Sequence, residues 1–100
     1  MGELELEGLN FEWDDEKYQI NIKKHGIYFE DAVRVFFDKN LIDDYDFEHS
    51  NDEDRIKIIG KVEKVLVVIY TERVEKFRII SARLANKKER DDYYGQFVYR

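Results

Sequence analysis

Three arginines stand on two consecutive strand-like segments. Arg73 closes the run Tyr70-Thr71-Glu72-Arg73, and Arg78 and Arg83 flank Ile79-Ile80-Ser81-Ala82. A guanidinium stays charged across the working pH range, and its planar fork matches the oxygens of a phosphate. Three of them among apolar strand residues predict a cationic surface on a rigid platform. The chemistry open to such a surface is anion binding and stabilisation of charge developing on a phosphodiester. The competing reading is structural: Glu72, Arg73 and Arg78 also suit a cross-strand ion-pair ladder of small energetic value.

Which arginines share a face depends on register, because strand residues alternate sides. With Val74-Glu75 at the tip of a two-residue turn, Arg73 opposes Lys76, Glu72 opposes Phe77 and Tyr70 opposes Ile79. Arg73 and Arg78 then share one face, and Arg83 lies on the other. A three-residue loop shifts the register and pairs Arg73 with Arg83 instead. The sequence leaves both open.

The elements that carry these residues can be read from capping and periodicity. Residues 1–9 alternate Glu with Leu or Gly and read as a frayed end or an edge strand. Phe11-Glu12-Trp13 reads as a short strand. Asp14 is a good N-cap for a helix running to His25, with Trp13 and Tyr18 at hydrophobic-staple spacing and Gly26 as its stop. Phe29, Val33 and Phe36 predict a second short helix over 28–37. Strands are expected over 41–45, 55–62, 65–73 and 77–84, with an acidic loop over 46–54. Asn86-Lys87-Lys88-Glu89 has capping-box spacing and opens a third helix to about Tyr94. The expected fold is α+β: a mostly antiparallel sheet, two N-terminal helices on one face and a C-terminal helix, in a single domain over 1–100.

Composition agrees with a folded domain. Of 100 residues, 43% are hydrophobic and 15% aromatic, more than a disordered chain carries. No cysteine is present, so nothing points to disulfides or secretion. The first residues lack a basic region followed by an apolar stretch, so no signal peptide is expected, and Val65 to Tyr70 is too short an apolar run to cross a bilayer. A cytoplasmic protein is the default expectation. The net charge of −6 argues against nucleic acid, but its distribution does not: up to Asp54 the balance is −12, and from Arg55 onward it is +6. Such asymmetry suits anion binding on one side, and equally an attraction between the two halves in the fold.

In order and spacing the residues resemble the BrnT family of type II toxins, ribonucleases with a RelE-like fold. The matching pieces are Phe11-Glu12-Trp13-Asp14, Asn21, Lys24-His25-Gly26, Phe29-Glu30-Asp31-Ala32 and Val35-Phe36. They continue with His49-Ser50, Glu53, Arg55, Gly60, Tyr70-Thr71-Glu72-Arg73, Arg78-Ile79-Ile80-Ser81-Ala82-Arg83 and Lys87-Lys88-Glu89-Arg90. The resemblance implies a toxin that cleaves mRNA and arrests translation and growth. It also implies a BrnA-type ribbon-helix-helix antitoxin that neutralises the toxin and binds operator DNA, in a toxin–antitoxin heterotetramer. Tyr28, Lys39 and Leu84 depart from the family pattern. Tyr28 removes the N-cap that the family pattern gives the second helix, and Leu84 removes a cation near the expected RNA face.

RNA cleavage without a metal uses the 2′-hydroxyl as nucleophile. It needs a proton acceptor, cations for the phosphorane charge and a proton donor for the leaving 5′-oxygen. Arg73 and Arg83 suit the cationic role, with Arg78 as a phosphate anchor. Lys24 or His25 suits the base or acid, and a helix C-terminus would favour the charged form of His25. His25 also suits a capping role, bonding a terminal carbonyl. Lys87, Lys88 and Arg90 suit RNA phosphates or a solvated helix face, and Tyr93 and Tyr94 suit base stacking or packing. His49 reads as solvated or structural. The acidic run Asp43, Asp44, Asp46, Glu48, Asp52, Glu53, Asp54 lacks EF-hand spacing, so no metal and no cofactor are expected. The alternative function is a catalytically weak module of the same fold that binds the antitoxin and acts as corepressor.

Overall fold

The computed structural model describes residues 1–46 and 53–98. Its strands are β1 (Gly2–Leu6), β2 (Leu9–Trp13), β3 (Ile42–Tyr45), β4 (Ile56–Val62), β5 (Lys64–Arg73) and β6 (Lys76–Leu84). Its helices are α1 (Asp15–His25), α2 (Phe29–Ala32) and α3 (Lys87–Gly95), with a short 3-10 helix over Val33–Phe37. One sheet has the order β1-β2-β6-β5-β4-β3. All pairs are antiparallel except β2 with β6, which run parallel. The fold is therefore α+β, as the sequence leads one to expect.

The helices form where the sequence places their caps. Asp14 accepts from the Lys17 N–H at 2.9 Å, and the Trp13 and Tyr18 rings sit 5.5 Å apart as the staple. Gly26 ends α1 at φ 70°, with its N–H on the Ile22 carbonyl. The expected helix over 28–37 breaks after one turn. Tyr28 gives α2 no side-chain cap, and the β-branched and aromatic run Val33-Arg34-Val35-Phe36-Phe37 tightens into the 3-10 form. Residues 2–6 form an edge strand rather than a frayed end.

Two cores lie on opposite faces of the sheet. The larger is built by Phe11, Trp13, Ile58, Leu66, Val68, Tyr70, Ile79 and Ala82 of the strands against Phe29, Ala32, Val33 and Val35. Each fully buried side chain of this kind contributes about 1.5–3 kcal/mol. Gly60 lets the 3-10 helix lie directly on β4, since a Cβ there would stand 2.7 Å from Val35 Cγ1. The smaller core packs Tyr93 and Ala85 on Ile59, Val65 and Val67. The Tyr93 hydroxyl donates to Asp38 Oδ2 at 2.5 Å, which ties α3 to the loop before β3.

Register settles which arginines share a face. Arg73 opposes Lys76, Glu72 opposes Phe77 and Tyr70 opposes Ile79, as a two-residue Val74-Glu75 turn requires. Beyond that point the ladder shifts, because Ile69 pairs with Ser81 and leaves Ile80 as a bulge. One extra residue reverses the alternation of everything after it. Arg83 then opposes Val67 instead of lying on the far face. Arg73, Arg78 and Arg83 all point to the side covered by α3. The expectation that a two-residue turn would separate Arg83 from the others is corrected by this bulge.

Candidate active site

Although the three arginines share a face, they do not converge. Arg73 sits at the hairpin tip, and Arg83 is level with Val67, six residues down β5. At the rise of an extended strand that is ~20 Å. The face therefore has two charged ends.

At the hairpin end each cation meets a carboxylate across the sheet. Lys76 Nζ is 2.7 Å from Glu3 and 3.9 Å from Glu12, Arg78 Nη1 is 3.0 Å from Glu12, and Arg73 Nη2 is 3.1 Å from Glu53. Glu3 and Glu12 oppose each other in the β1–β2 register, a like-charge pair that Lys76 and Arg78 relieve. Glu53 belongs to the acidic segment, which is held at its described end by Thr71 Oγ1 donating to the Asp54 carbonyl at 2.8 Å. His49, Glu48 and Asp52 lie outside the described residues.

At the other end Arg83 makes a two-pronged contact. Its Nη1 and Nη2 donate to Glu89 Oε1 and Oε2 at 2.7 and 2.9 Å. The same carboxylate accepts from Lys57 Nζ at 2.8 Å and from the Asn86 N–H at 2.9 Å. Glu89 is 5% exposed, and it is held at about 2, well below the usual carboxylate range, chiefly by the Arg83 hydrogen bonds. It is also the N3 residue of the capping box, its own N–H donating to Asn86 Oδ1 at 2.8 Å. Helix start and arginine clamp are thus one structure.

His25 reaches this end from α1. β2 pairs with β6 only through Ile79, so the next stretch of β6 lacks a strand neighbour on that side. Asn21 supplies one. Its amide accepts from the Ala82 N–H at 3.0 Å and donates to the Ala82 and Ile27 carbonyls at 2.9 and 3.1 Å. One turn further, His25 lies within electrostatic reach of Arg83. Partial burial first, then repulsion by Lys24 and Arg83, lowers its pKa from the ordinary value of 6.5. Burial and two neighbouring cations thus favour the neutral form, where the helix C-terminus alone led one to expect the charged one. The cap itself is made by the Gly26 backbone, which frees the ring from that role. A cleft of about 330 Å³, lined by Gly26, Ile27, Asp31, Arg34, Leu66 and Leu84, opens on the larger-core face of the sheet, opposite to Arg83, and neither Arg83 nor His25 lines it.

The remaining cations are ordinary in their surroundings. Lys87 and Lys88 pair with Asp91 and Asp92 at 2.7 and 3.0 Å, four residues along an exposed helix face. Arg90 donates to the Ala85 carbonyl at 2.8 Å. Tyr93 is buried in the smaller core and packs rather than stacks, while Tyr94 is exposed. The sequence reading missed Lys57 and the second role of Glu89. A capping glutamate six residues after an arginine was the available signal, but nothing in the sequence placed Lys57 opposite it.

Comparison with known proteins supplies the class: residues 13–89 match a family of ribonuclease toxins of type II toxin–antitoxin systems. That family is described as "Ribonuclease toxin, BrnT, of type II toxin-antitoxin system", and the chain belongs to it. The fold matches the 1.1 Å crystal structure of the Brucella abortus ribonuclease toxin BrnT, with a TM-score of 0.57 and 28% identity, covering 75% of this chain and 94% of that one. No curated protein matches the sequence. Membership implies an RNA substrate and an antitoxin partner. Among the described residues no helix is long and apolar enough to cross a membrane.

Proposed function

We propose that this toxin cleaves mRNA without a metal ion, at the Arg83 end of the sheet, and so arrests translation and growth in the cytoplasm. The observation that carries the reading is the guanidinium of Arg83, fixed by Glu89 within electrostatic reach of a histidine whose neutral form is favoured. Neutral His25 accepts the proton of the 2′-hydroxyl as that oxygen attacks phosphorus. Arg83 takes up the negative charge that gathers on the non-bridging oxygens. Lys24, exposed on the same helix end, gives a proton to the leaving 5′-oxygen. The bond from phosphorus to the 5′-oxygen breaks, leaving a 2′,3′-cyclic phosphate and a free 5′-hydroxyl. Arg78 holds a neighbouring phosphate along the same face. Lys87, Lys88 and Arg90 extend the contact along α3.

Arg73 takes no part in the bond-breaking step in this scheme, because its position at the tip separates it from Arg83. The partner is a BrnA-type ribbon-helix-helix antitoxin, assembled with the toxin as a heterotetramer. The test is purified, antitoxin-free protein incubated with RNA in the presence of EDTA. Fragments with cyclic phosphate ends support the reading. Intact RNA at every protein concentration favours the antitoxin-binding corepressor instead.

A further inference from the structure

We propose that Glu89 is the positioning residue of this site, holding Arg83 and Lys57 as a fixed pair of cations. The inference rests on the reading of Arg83 as the group that stabilises the phosphorane. A carboxylate offers about four acceptor sites, and all four are used: two by Arg83, one by Lys57 and one by the Asn86 N–H. A guanidinium on a flexible side chain otherwise samples many rotamers, and a displacement of about 1 Å at a reacting centre can cost 100-fold in rate. Here its plane is set by two oxygens whose own carbon is anchored to the first turn of α3. The side chains of Arg83 and Lys57 remain 37% and 31% exposed, while the side chain of Glu89 is 7% exposed. The cations face outward and their holder does not. Two positive charges over one negative leave the triad net positive toward a phosphate.

The alternative is that Glu89 serves only as the capping residue of α3. Glu89→Gln separates the two roles, because glutamine also completes a capping box but cannot accept from both prongs of the arginine. Four proteins are compared: wild type, Glu89→Gln, Arg83→Ala and the double variant. Single-turnover cleavage of an oligoribonucleotide at saturating protein is followed together with circular dichroism. The rotation of the Arg83 guanidinium is read by ¹⁵N NMR.

Glu89→Gln is expected to keep its helix content and lose about tenfold or more in cleavage rate. The double variant is expected to cleave within about twofold of Arg83→Ala, since Glu89 acts through that residue. Guanidinium rotation should be slow in the wild type and fast in Glu89→Gln. A Glu89→Gln protein that cleaves at the wild-type rate overturns the proposal. So does a loss that multiplies in full on top of Arg83→Ala, or a freely rotating Arg83 in the wild type. The last result decides the matter even if Glu89→Gln does not fold. Wild-type cleavage by Arg83→Ala overturns instead the role of Arg83, and this inference falls with it.

Discussion

The two ends of the charged face use the same residue types to different effect. At the hairpin end, Lys76 meets Glu3 between side chains 39% and 63% exposed, and such pairs are screened by solvent and salt. Arg73 offers one nitrogen to Glu53, and Arg78 offers one to Glu12. At the far end Arg83 engages both oxygens of a buried carboxylate that a helix cap already fixes. The first arrangement neutralises charge. The second aims it. The hairpin end also depends on Glu3 and Glu12, which lie before the matched residues 13–89, whereas His25, Lys57, Arg83 and Glu89 lie inside them.

The contrast is broken most sharply by paired substitutions. Arg83→Ala is expected to lower the cleavage rate by about 100-fold, the usual cost of removing one preorganised donor to developing charge. Arg73→Ala should stay within about threefold. Single-turnover rates on the same RNA check both, and equal losses would erase the distinction. Asn21→Ala should cost about 3 kcal/mol in urea unfolding, because it strands the buried N–H and carbonyl of Ala82. It should also slow cleavage, since α1 then no longer holds His25 against β6.

Two titrations sharpen the comparison. The Glu89 carboxyl is depressed to about 2 from 4.5, so the unfolded chain binds its proton first as the pH falls. Its stabilising contribution is complete above about pH 4.5 and is lost between there and pH 2. Wild type should therefore lose stability over that window, and Glu89→Gln should lose less, as acid unfolding curves will show. His25 should titrate below 6.5 by NMR, and Arg83→Ala should move its midpoint upward by removing a repelling charge. An unmoved midpoint would mean that the two groups do not sense each other. The smallest effect is expected at the hairpin tip. Glu75 holds φ at 59°, and Glu75→Gly should stabilise the protein by about 0.5 kcal/mol by relieving it, without changing the cleavage rate.

Much of this architecture could be read before any coordinates. Asp14, Gly26 and Asn86 mark helix ends through local hydrogen bonds, which depend on neighbours in sequence, and the apolar runs mark the strands. The Val74-Glu75 turn gave one of two registers that the sequence left open, and the structure selects it. The Ile80 bulge could not be read there. It arises where β6 leaves β2 and takes Asn21 as its neighbour, a contact 61 residues apart in sequence. That single insertion decides that Arg83 shares a face with Arg73, and strand length decides that the two still stand apart. The Arg83–Glu89–Lys57 cluster was hidden for a similar reason. Its members come from β6, α3 and β4, and only the folded sheet brings Lys57 to the helix start.

The placement of the site at the Arg83 end is tested most directly by an NMR titration of the wild-type protein with a 2′-O-methyl oligoribonucleotide, which binds as RNA does but lacks the attacking hydroxyl. The account predicts that the side-chain signals of Arg83, Lys57 and His25 move at the lowest ligand concentrations, while those of Arg73 and Lys76 stay in place. Early movement of Arg73 and Lys76, with Arg83 and His25 unchanged, would contradict it.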